Sequence, residues 1–365
     1  MNIPLHTMTR KYLGLFLNKA LSKFVKIIDT KSSLDKEEIK NIIIIRPNYR
    51  IGNLIFLTPL INELSKGIPN VKIDIIVGMK IAGDVLQGLP NVNKVISIPR
   101  NLLLQPINMI NFIKDARKKE YDLAINIIES STSSQIVTSL INSKYKASFY
   151  NKNNWTDLTH SIEKKHTYKH FSLEALELLR LLNLEPKEET LLLDIKLKNS
   201  EIIVAKQELS HLLEKANLNK DSKVVALFRN ARLDKKIQDE WWQEWHEELL
   251  KLDQNIVVVD ILSPDILSKL NNNCLEYSNK NLRALGAFFQ ACSIYVSADT
   301  GPMHLASASQ ANTLALFNKT DIQIYGTLGD TNKTIDINEM TPKEVAKASY
   351  DYLENSISKN NITGA

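Results

Sequence analysis

The residues with the clearest chemical potential lie in one short stretch, residues 294–309 (IYVSADTGPMHLASAS). A predicted strand ends at Ser297, and Asp299-Thr300-Gly301 then turns the chain. Pro302 takes the first helical position, where its missing N–H group has no helical partner to lose. The spacing therefore predicts a strand, a tight turn and the start of a helix.

The start of such a helix is a site for an anion. The backbone N–H groups of Gly301, Met303 and His304 have no acceptor in the preceding turn, and the helix dipole favours a negative charge in front of them. Thr300 adds a hydroxyl donor, His304 adds a ring N–H, and Asp299 can accept hydrogen bonds from sugar hydroxyls. The pattern favours a phosphate site, with a plain helix cap as the alternative.

The elements that position this stretch alternate between strand and helix. In the first half, β-branched runs predict strands and amphipathic runs predict helices. The predicted strands are 42–45, 71–77, 95–98 and 122–128, and the predicted helices are 53–66, 81–88, 105–119, 132–141 and 171–183. Residues 143–170 are expected to be irregular. Such alternation indicates a parallel sheet with right-handed crossovers, a doubly wound Rossmann-like domain.

A second series follows a polar stretch at residues 215–222. The predicted strands are 223–228, 255–260, 293–297 and 312–317, and the predicted helices are 238–252, 264–271, 281–291, 302–309 and 342–357, with a frayed end at 358–365. The expected organisation is an amphipathic segment with its connector (1–40), two Rossmann-like domains (41–200 and 201–340) and a C-terminal helix and tail (341–365). Two such α/β domains are expected to face a central cleft.

Three of these motifs together resemble glycosyltransferase family 9, the lipopolysaccharide heptosyltransferase-like enzymes. The turn at 299–306 (DTGPMHLA) is similar to the family signature, and residues 42–60 (IIIIRPNYRIGNLIFLTPL) resemble its first strand, glycine turn and helix. Residues 227–242 (LFRNARLDKKIQDEWW) resemble its phosphate-binding turn. The resemblance covers residues 41 to about 320. It implies a GT-B fold, an acceptor bound to the first domain and a nucleotide-sugar donor bound to the second.

The resemblance also implies inverting transfer without a metal cofactor. The sequence contains no Asp-x-Asp triplet, so cations and helix N-termini are expected to meet the diphosphate charge. Lys235 aligns with the family's phosphate lysine, and Arg229 is placed to assist it. Asp265 falls near the family's ribose-binding carboxylate, with Asp260 as an alternative. The expected donor site thus joins Lys235, Arg229 and Asp265 to the 299–304 turn.

The family's catalytic base is an aspartate directly after the glycine of the first turn, and this sequence has Gly52-Asn53 at that place. An amide orients a hydroxyl but does not usefully take its proton. Three outcomes are open. Another carboxylate acts as the base, with Glu129 first and Asp157 or His160 as further choices; the reaction proceeds through orientation alone; or the chain binds without transfer.

Acceptor binding is expected at the first domain, through Arg46, Arg50 and Gly52. Further cations in the same half are expected either to meet an anionic acceptor or to be an ordinary solvated surface. They are Lys144, Lys146, Lys152, Lys164, Lys165 and Lys169.

Residues 5–28 predict an amphipathic helix. Six lysines and arginines lie between Met1 and Lys31 against one acid, Asp29. This composition fits a helix lying in an anionic membrane interface, or alternatively one packed on the protein's own core. It does not resemble a secretory signal.

The composition of the chain argues against two further classes of protein, those that bind nucleic acids and those held together by disulfides. The 365 residues carry 46 Lys and Arg against 41 Asp and Glu, a net charge of +5, which is too mild to indicate a nucleic-acid partner. Two cysteines are too few for a disulfide framework, as expected of a reducing cytoplasm.

The function predicted from the sequence is sugar transfer from a nucleoside diphosphate to a lipopolysaccharide or lipooligosaccharide core or related surface glycan. The expected location is the cytoplasmic face of the bacterial inner membrane. The alternatives are a non-catalytic nucleotide-sugar-binding homologue, favoured by Asn53, and a GT-B nucleotide-sugar epimerase.

Overall fold

The computed structural model describes residues 12, 33–100, 105–154, 156–188, 191–266 and 268–363. The chain divides into two compact units, Met1–Thr190 and Leu191–Ala365. The boundary lies earlier than the predicted 200/201. Residues before 200 belong to the second unit because they bond to it, as when Ile195 N donates to Ala308 O and Arg283 donates to Ile195 O.

The first domain alternates strand and helix as predicted. Its strands are β1 (Asn41–Arg46), β2 (Lys72–Val77), β3 (Val92–Ser97), β4 (Tyr121–Asn126), β5 (Ser143–Phe149) and β6 (His160–Ile162). Its helices are α1 (Ile51–Ile55), α2 (Thr58–Gly67), α3 (Gly83–Gln87), α4 (Pro106–Lys118) and α5 (Thr132–Leu140), with 3₁₀ helices at Lys36–Glu38, Lys80–Ala82 and Glu174–Leu182.

The second domain repeats this architecture. Its strands are β7 (Lys223–Phe228), β8 (Ile256–Ile261), β9 (Leu275–Tyr277), β10 (Ile294–Ala298), β11 (Thr313–Phe317) and β12 (Asn332–Asp336). Its helices are α6 (Asn199–Lys215), α7 (Asp239–Leu252), α8 (Leu282–Ala291), α9 (Gly301–Ala308), α10 (Ile322–Tyr325) and α11 (Pro342–Thr363), with a 3₁₀ helix at Leu233–Lys235.

Both sheets are parallel and share one strand order. The first runs β3-β2-β1-β4-β5-β6, and the second runs β12-β11-β10-β7-β8-β9. The order reverses between β1 and β4 in the first sheet and between β7 and β10 in the second. In doubly wound sheets, ligands bind outside the carboxyl ends of the strands at this reversal. The fold therefore predicts ligand sites at the carboxyl ends of these four strands.

The cores are apolar, as the β-branched runs predict. Ile42 to Ile45 of β1 are fully buried, and Trp242 and Trp245 of α7 lie in the core of the second domain together with Val345 of α11. The tryptophans therefore pack in the second domain's interior. Among the described residues, no helix has both the length and the apolar content to cross a membrane.

Two predictions for the first domain are wrong. The stretch 143–170 is not wholly irregular, because it contains β5 and β6. The two lysines of β5 (SKYKASF) made this stretch too polar to be predicted as a strand. Lys146 is nevertheless buried there, and its ammonium is paired with Asp157 at 2.8 Å. The predicted α-helix at 171–183 is a 3₁₀ helix, Glu174–Leu182, which ends at Asn183 in the left-handed conformation.

The second domain departs from prediction in three places. The described residues of 264–271 form turns and bends instead of a helix, and the side chain of Asp260 accepts a hydrogen bond from the backbone N–H of Leu270 there. The edge strands β9 and β12 and the helix α6 were not predicted. The terminal helix α11 continues to Thr363 instead of fraying from 358. The predicted amphipathic helix at 5–28 lies outside the described residues, except for Tyr12.

One buried carboxylate makes the first domain sensitive to acid. Asp74 is almost fully buried and accepts hydrogen bonds from Asn93 (2.7 Å), Lys119 (2.9 Å) and Tyr121 (2.7 Å). Burial by itself raises the pKa of the Asp74 carboxyl, but these three donors and the charge of Lys119 outweigh it and hold the pKa below its ordinary value. The stabilisation is therefore present above the unfolded-state pKa and is lost as the pH falls through the folded-state pKa.

We expect Asp74→Asn to lower the free energy of unfolding by about 2 kcal/mol near neutral pH, because hydrogen bonds to a charged group are lost. The difference from the wild type should begin to shrink below about pH 4, where the carboxyl of the unfolded chain takes up a proton, and should be lost as the pH falls through the lower folded-state pKa. Urea unfolding at several pH values measures both effects. The exposed Asp115→Asn is the matched control and should leave unfolding nearly unchanged. A destabilisation that does not depend on pH would contradict this account.

Candidate active site

A small pocket lies at the strand-order reversal of the first domain, outside the ends of β1 and β4. We call it the Asn53 pocket. Apolar side chains form most of its wall, and four polar residues face it: an arginine, an asparagine, a serine and a glutamate. Its lining residues are Arg46, Asn53, Phe56, Leu57, Ile127, Ile128, Phe171, Ser172, Glu174 and Ala175. A small polar set on an apolar wall is typical of a ligand site.

Arg46 is the last residue of β1 and is only 6% exposed. Its guanidinium lies over the ring of Phe171, 5.8 Å from the ring centre. Among the described residues, it has neither a hydrogen-bond acceptor nor an ion-pair partner within 4 Å. Desolvation by burial lowers its pKa to about 10, against the attraction of Glu174, which raises it. The side chain therefore stays a cation at neutral pH and faces the pocket.

The turn after β1 fixes Asn53. The side-chain oxygen of Asn48 accepts hydrogen bonds from the backbone N–H of Arg50 (2.9 Å) and from Asn53 Nδ2 (3.2 Å). The Asn48 carbonyl also accepts from Gly78 N at 3.0 Å, and any Cβ at Gly78 would collide with that carbonyl. Gly52 is buried beside Asn53, whereas Arg50 is exposed and is not part of the pocket wall.

Glu129, the first choice for the base, is engaged in an ion-pair chain. Lys164 Nζ lies 3.1 Å from Glu129 Oε1 and 2.6 Å from Glu174 Oε1. Burial by itself lowers the pKa of Lys164, but the two carboxylates outweigh it, so the pKa is raised above its ordinary value. Glu129 Oε2 is buried and has no hydrogen-bond partner. Glu129 adjoins the Asn53 pocket through Lys164 without lining it.

The other two choices for the base also lie outside the pocket wall. Asp157 is paired with Lys146 at 2.8 Å and is largely exposed. His160 is buried, desolvation lowers its pKa, and its Nδ1 lies 2.9 Å from the hydroxyl of Thr159. Lys144 is likewise engaged, with Glu38. Three of the lysines that were expected to meet an anionic acceptor thus form ion pairs within the first domain: Lys144, Lys146 and Lys164.

The donor residues of the second domain meet at the corresponding reversal. Asp299 follows β10 directly, and its Oδ2 lies 2.5 Å from Lys235 Nζ. The same oxygen accepts a hydrogen bond from the hydroxyl of Thr320. The side chain of Asp299 is only 6% exposed, while that of Lys235 is 30% exposed. The structure therefore brings the predicted phosphate lysine to the turn that precedes α9.

The start of α9 has the predicted form. Thr300 is its N-cap in an extended conformation, and its side chain makes no capping hydrogen bond. His304 Nε2 lies 4.0 Å from Asp299 Oδ1. The side chain of Met303 is fully buried, so only its backbone N–H can reach a ligand. Gly301 and Met303 thus present the N–H groups of a first helical turn beside Lys235. The prediction for His304 is wrong in part, because its backbone N–H already donates to the carbonyl of Thr300 at 3.5 Å.

Two predicted donor residues have different surroundings. Arg229 is buried and bonds to Asp260 (2.9 Å), Asp239 (2.8 Å) and the carbonyl of Ser268 (2.8 Å). A contact with the donor would require breaking these bonds. Asp260 is fully buried, while Asp265 is exposed in the loop after β8. Within the part of the chain that the structure describes, no cluster of three His, Cys, Asp or Glu has the arrangement of a metal site.

Glu174 and Thr320 were missed as site residues. Glu174 lies in a run that reads as an amphipathic helix, where a glutamate is ordinarily a solvated residue, so no local signal marked it. Thr320 follows β11 and reaches Asp299 only through the fold. Both reach their sites from elements distant in the chain.

Comparison with known proteins identifies the family. The model of glycosyltransferase family 9 (heptosyltransferase) matches residues 109–352, more than half of the chain. A search of curated proteins found no match.

Solved structures of similar fold include the family 9 glycosyltransferase of Veillonella parvula, with TM-score 0.73 and 15% identity over 88% of this chain and 99% of that one. Escherichia coli heptosyltransferase WaaC with ADP has TM-score 0.67 and 18% identity over 87% and 99% of the two chains. E. coli ADP-heptose lipopolysaccharide heptosyltransferase II has TM-score 0.66 and 17% identity over 86% and 98%. The two parallel sheets match this GT-B fold. The chain belongs to glycosyltransferase family 9, the heptosyltransferase family, and is a glycosyltransferase.

Proposed function

We propose that this glycosyltransferase moves a sugar from a nucleoside-diphosphate donor to a lipopolysaccharide or lipooligosaccharide core or related surface glycan, with inversion and without a metal. The observation that carries the proposal is the position of Lys235 at Asp299, beside the first turn of α9. A diphosphate leaving group needs positive charge where its own charge develops. An ammonium group and a helix N-terminus supply that charge together.

The nature of the donor follows from the second domain. The backbone N–H groups of Gly301 and Met303 are suited to phosphate oxygens, and the hydroxyl of Thr300, which makes no capping hydrogen bond, adds a further donor. Asp265, exposed beyond β8, remains a prediction for the ribose contact. Two of the similar structures were solved with ADP or an ADP-sugar analogue, which supports an ADP-linked sugar as the first donor to test.

The first domain supports an anionic acceptor. Arg46 is a buried cation at the wall of the Asn53 pocket without an anionic partner within 4 Å among the described residues. A carboxylate or phosphate on the acceptor would neutralise it. Such groups are typical of lipopolysaccharide cores. Peripheral contact with the inner membrane through residues 5–28 stays a prediction from the sequence.

A second function is favoured by one observation. Asn53 stands where the family has its catalytic aspartate, and its amide is held by Asn48. A homologue that binds the nucleotide sugar without transferring it would tolerate this change. Donor binding is common to both functions, and turnover separates them.

A thermal-shift panel tests donor binding. Purified full-length protein is heated with ADP-heptose, ADP-glucose, UDP-glucose or GDP-mannose, each with and without EDTA. A donor at a hundred times its Kd should stabilise the fold by about 2.7 kcal/mol, which raises the melting temperature by several degrees. We expect an ADP-sugar to give this shift, unchanged by EDTA. No shift with any nucleotide sugar, or a shift abolished by EDTA, would contradict the proposal.

Transfer is then measured with the stabilising donor and a lipooligosaccharide core extract. Inversion is read from the anomeric coupling of the product by NMR. A donor that binds but is never turned over would support the non-catalytic function.

A further inference from the structure

The Asn53 pocket contains a carboxylate that the family's motif does not supply. Glu174, the first residue of the 3₁₀ helix Glu174–Leu182, lines the same wall as Asn53. Among the described residues, it is the one acidic side chain in that wall. The neutral amide at position 53 and this carboxylate therefore face one space, at the carboxyl ends of β1 and β4.

The two carboxylates around Lys164 differ in what can reach them. Glu129 Oε2 is buried without a partner, so no acceptor hydroxyl can approach it while the present packing holds. Glu174 uses Oε1 for Lys164 at 2.6 Å, and its side chain is 21% exposed. Its Oε2 accepts no hydrogen bond from any described residue. A base must lie within hydrogen-bond reach of the proton that it takes. Of the two carboxylates, Glu174 lines the pocket, whereas Glu129 does not.

We propose that Glu174 is the catalytic base of this enzyme, in place of the aspartate that Asn53 has replaced. The inference rests on the proposed transfer function. The acceptor hydroxyl oxygen forms a bond to the anomeric carbon of the donor sugar. The bond from that carbon to the diphosphate oxygen breaks, and its electron pair leaves with the nucleoside diphosphate. The hydroxyl proton passes to Glu174 Oε2, and the resulting carboxylic acid later returns it to water.

The neighbours of Glu174 have supporting roles. Lys164 is a positioning residue, since it holds Oε1 and leaves Oε2 without a hydrogen-bond partner among the described residues, and it is itself held by Glu129 at 3.1 Å. Asn53 Nδ2 is bound to Asn48, so its side-chain oxygen is the group available to orient an acceptor hydroxyl. In this arrangement the amide orients and the carboxylate accepts the proton.

The test compares steady-state transfer by the full-length protein, with ADP-heptose as donor and a lipooligosaccharide core extract as acceptor. Glu174→Gln keeps the shape and removes the base, so kcat should fall about 100-fold or more, with the donor-induced thermal shift unchanged. Glu129→Gln should reduce kcat much less. Glu120→Gln, an exposed carboxylate of the same domain, is the matched control for the loss of one charge.

Restoring the family's residue separates a base from a structural carboxylate. We expect Asn53→Asp/Glu174→Gln to recover at least tenfold in kcat over Glu174→Gln, since the new aspartate can take the proton. A merely structural role at Glu174 would not be rescued from position 53. The assignment is wrong if Glu174→Gln keeps the wild-type kcat, or if Glu129→Gln loses as much kcat as Glu174→Gln. Either result leaves the transferase function itself unaffected. Donor binding without wild-type turnover overturns both the assignment and transfer.

Discussion

Lys235→Ala should lower kcat/KM for transfer by about 100-fold to 1000-fold. The lysine contacts Asp299 at the turn before α9, and removing one group that stabilises a developing charge typically costs about that factor. The loss is increased by Asp299, which lies 2.5 Å from the lysine and is almost fully buried. Without Lys235 this carboxylate keeps its hydrogen bond from Thr320 but has lost its counter-ion. Its charge then repels the diphosphate that should bind there.

Lys236→Ala is the matched control for the lysine, because it removes a cation of the same type one residue away and its side chain is exposed. It should cost less than tenfold. Steady-state kinetics with a varied donor, together with the donor-induced thermal shift, measure both variants. Equal losses in the two variants would show that general positive charge, and not the contact at Asp299, attracts the donor. No loss in Lys235→Ala would place the diphosphate elsewhere.

The buried centre of each domain could be predicted from the sequence because its strands are largely unbroken apolar runs. Residues 42–45 and 223–228 need no partner to be recognised, since four or more consecutive apolar residues bounded by turns are typical of a parallel strand covered on both faces. The short edge strands β9 and β12 of the second domain could not be predicted in this way. β9 (LEY) and β12 (NKTID) are short, and polar residues make up much of both. What makes them strands is pairing with β8 and β11, which is a tertiary effect.

The donor site and the Asn53 pocket also differ in how far the sequence could predict them. The turn of the donor site is contiguous, so its strand end, proline and glycine could be read together, and the family resemblance placed Lys235. The Asn53 pocket is assembled from β1, α1, the segment after β4 and the 3₁₀ helix Glu174–Leu182. The role of Glu174 depends on which oxygen Lys164 holds and on which carboxylate is covered. Neither fact has a local signature in the chain.

The last prediction concerns Arg229, which the sequence assigned to the donor and the structure surrounds with partners of its own domain. Its nitrogens bond to Asp260, Asp239 and the carbonyl of Ser268. Asp260 is fully buried, and desolvation raises its pKa despite the arginine. Arg229→Ala would leave that carboxylate with the backbone N–H of Leu270 as its remaining donor.

We therefore expect Arg229→Ala to lower the free energy of unfolding by about 3–5 kcal/mol near neutral pH, the usual cost of leaving a buried charge uncompensated. Urea unfolding measures this cost. Because the raised pKa of Asp260 lets the carboxyl take up a proton in acid, the destabilisation should become smaller as the pH falls. The double variant Arg229→Ala/Asp260→Asn removes the buried charge and should recover part of the loss at neutral pH. A variant that unfolds like the wild type but binds the donor weakly would instead establish Arg229 as a donor ligand.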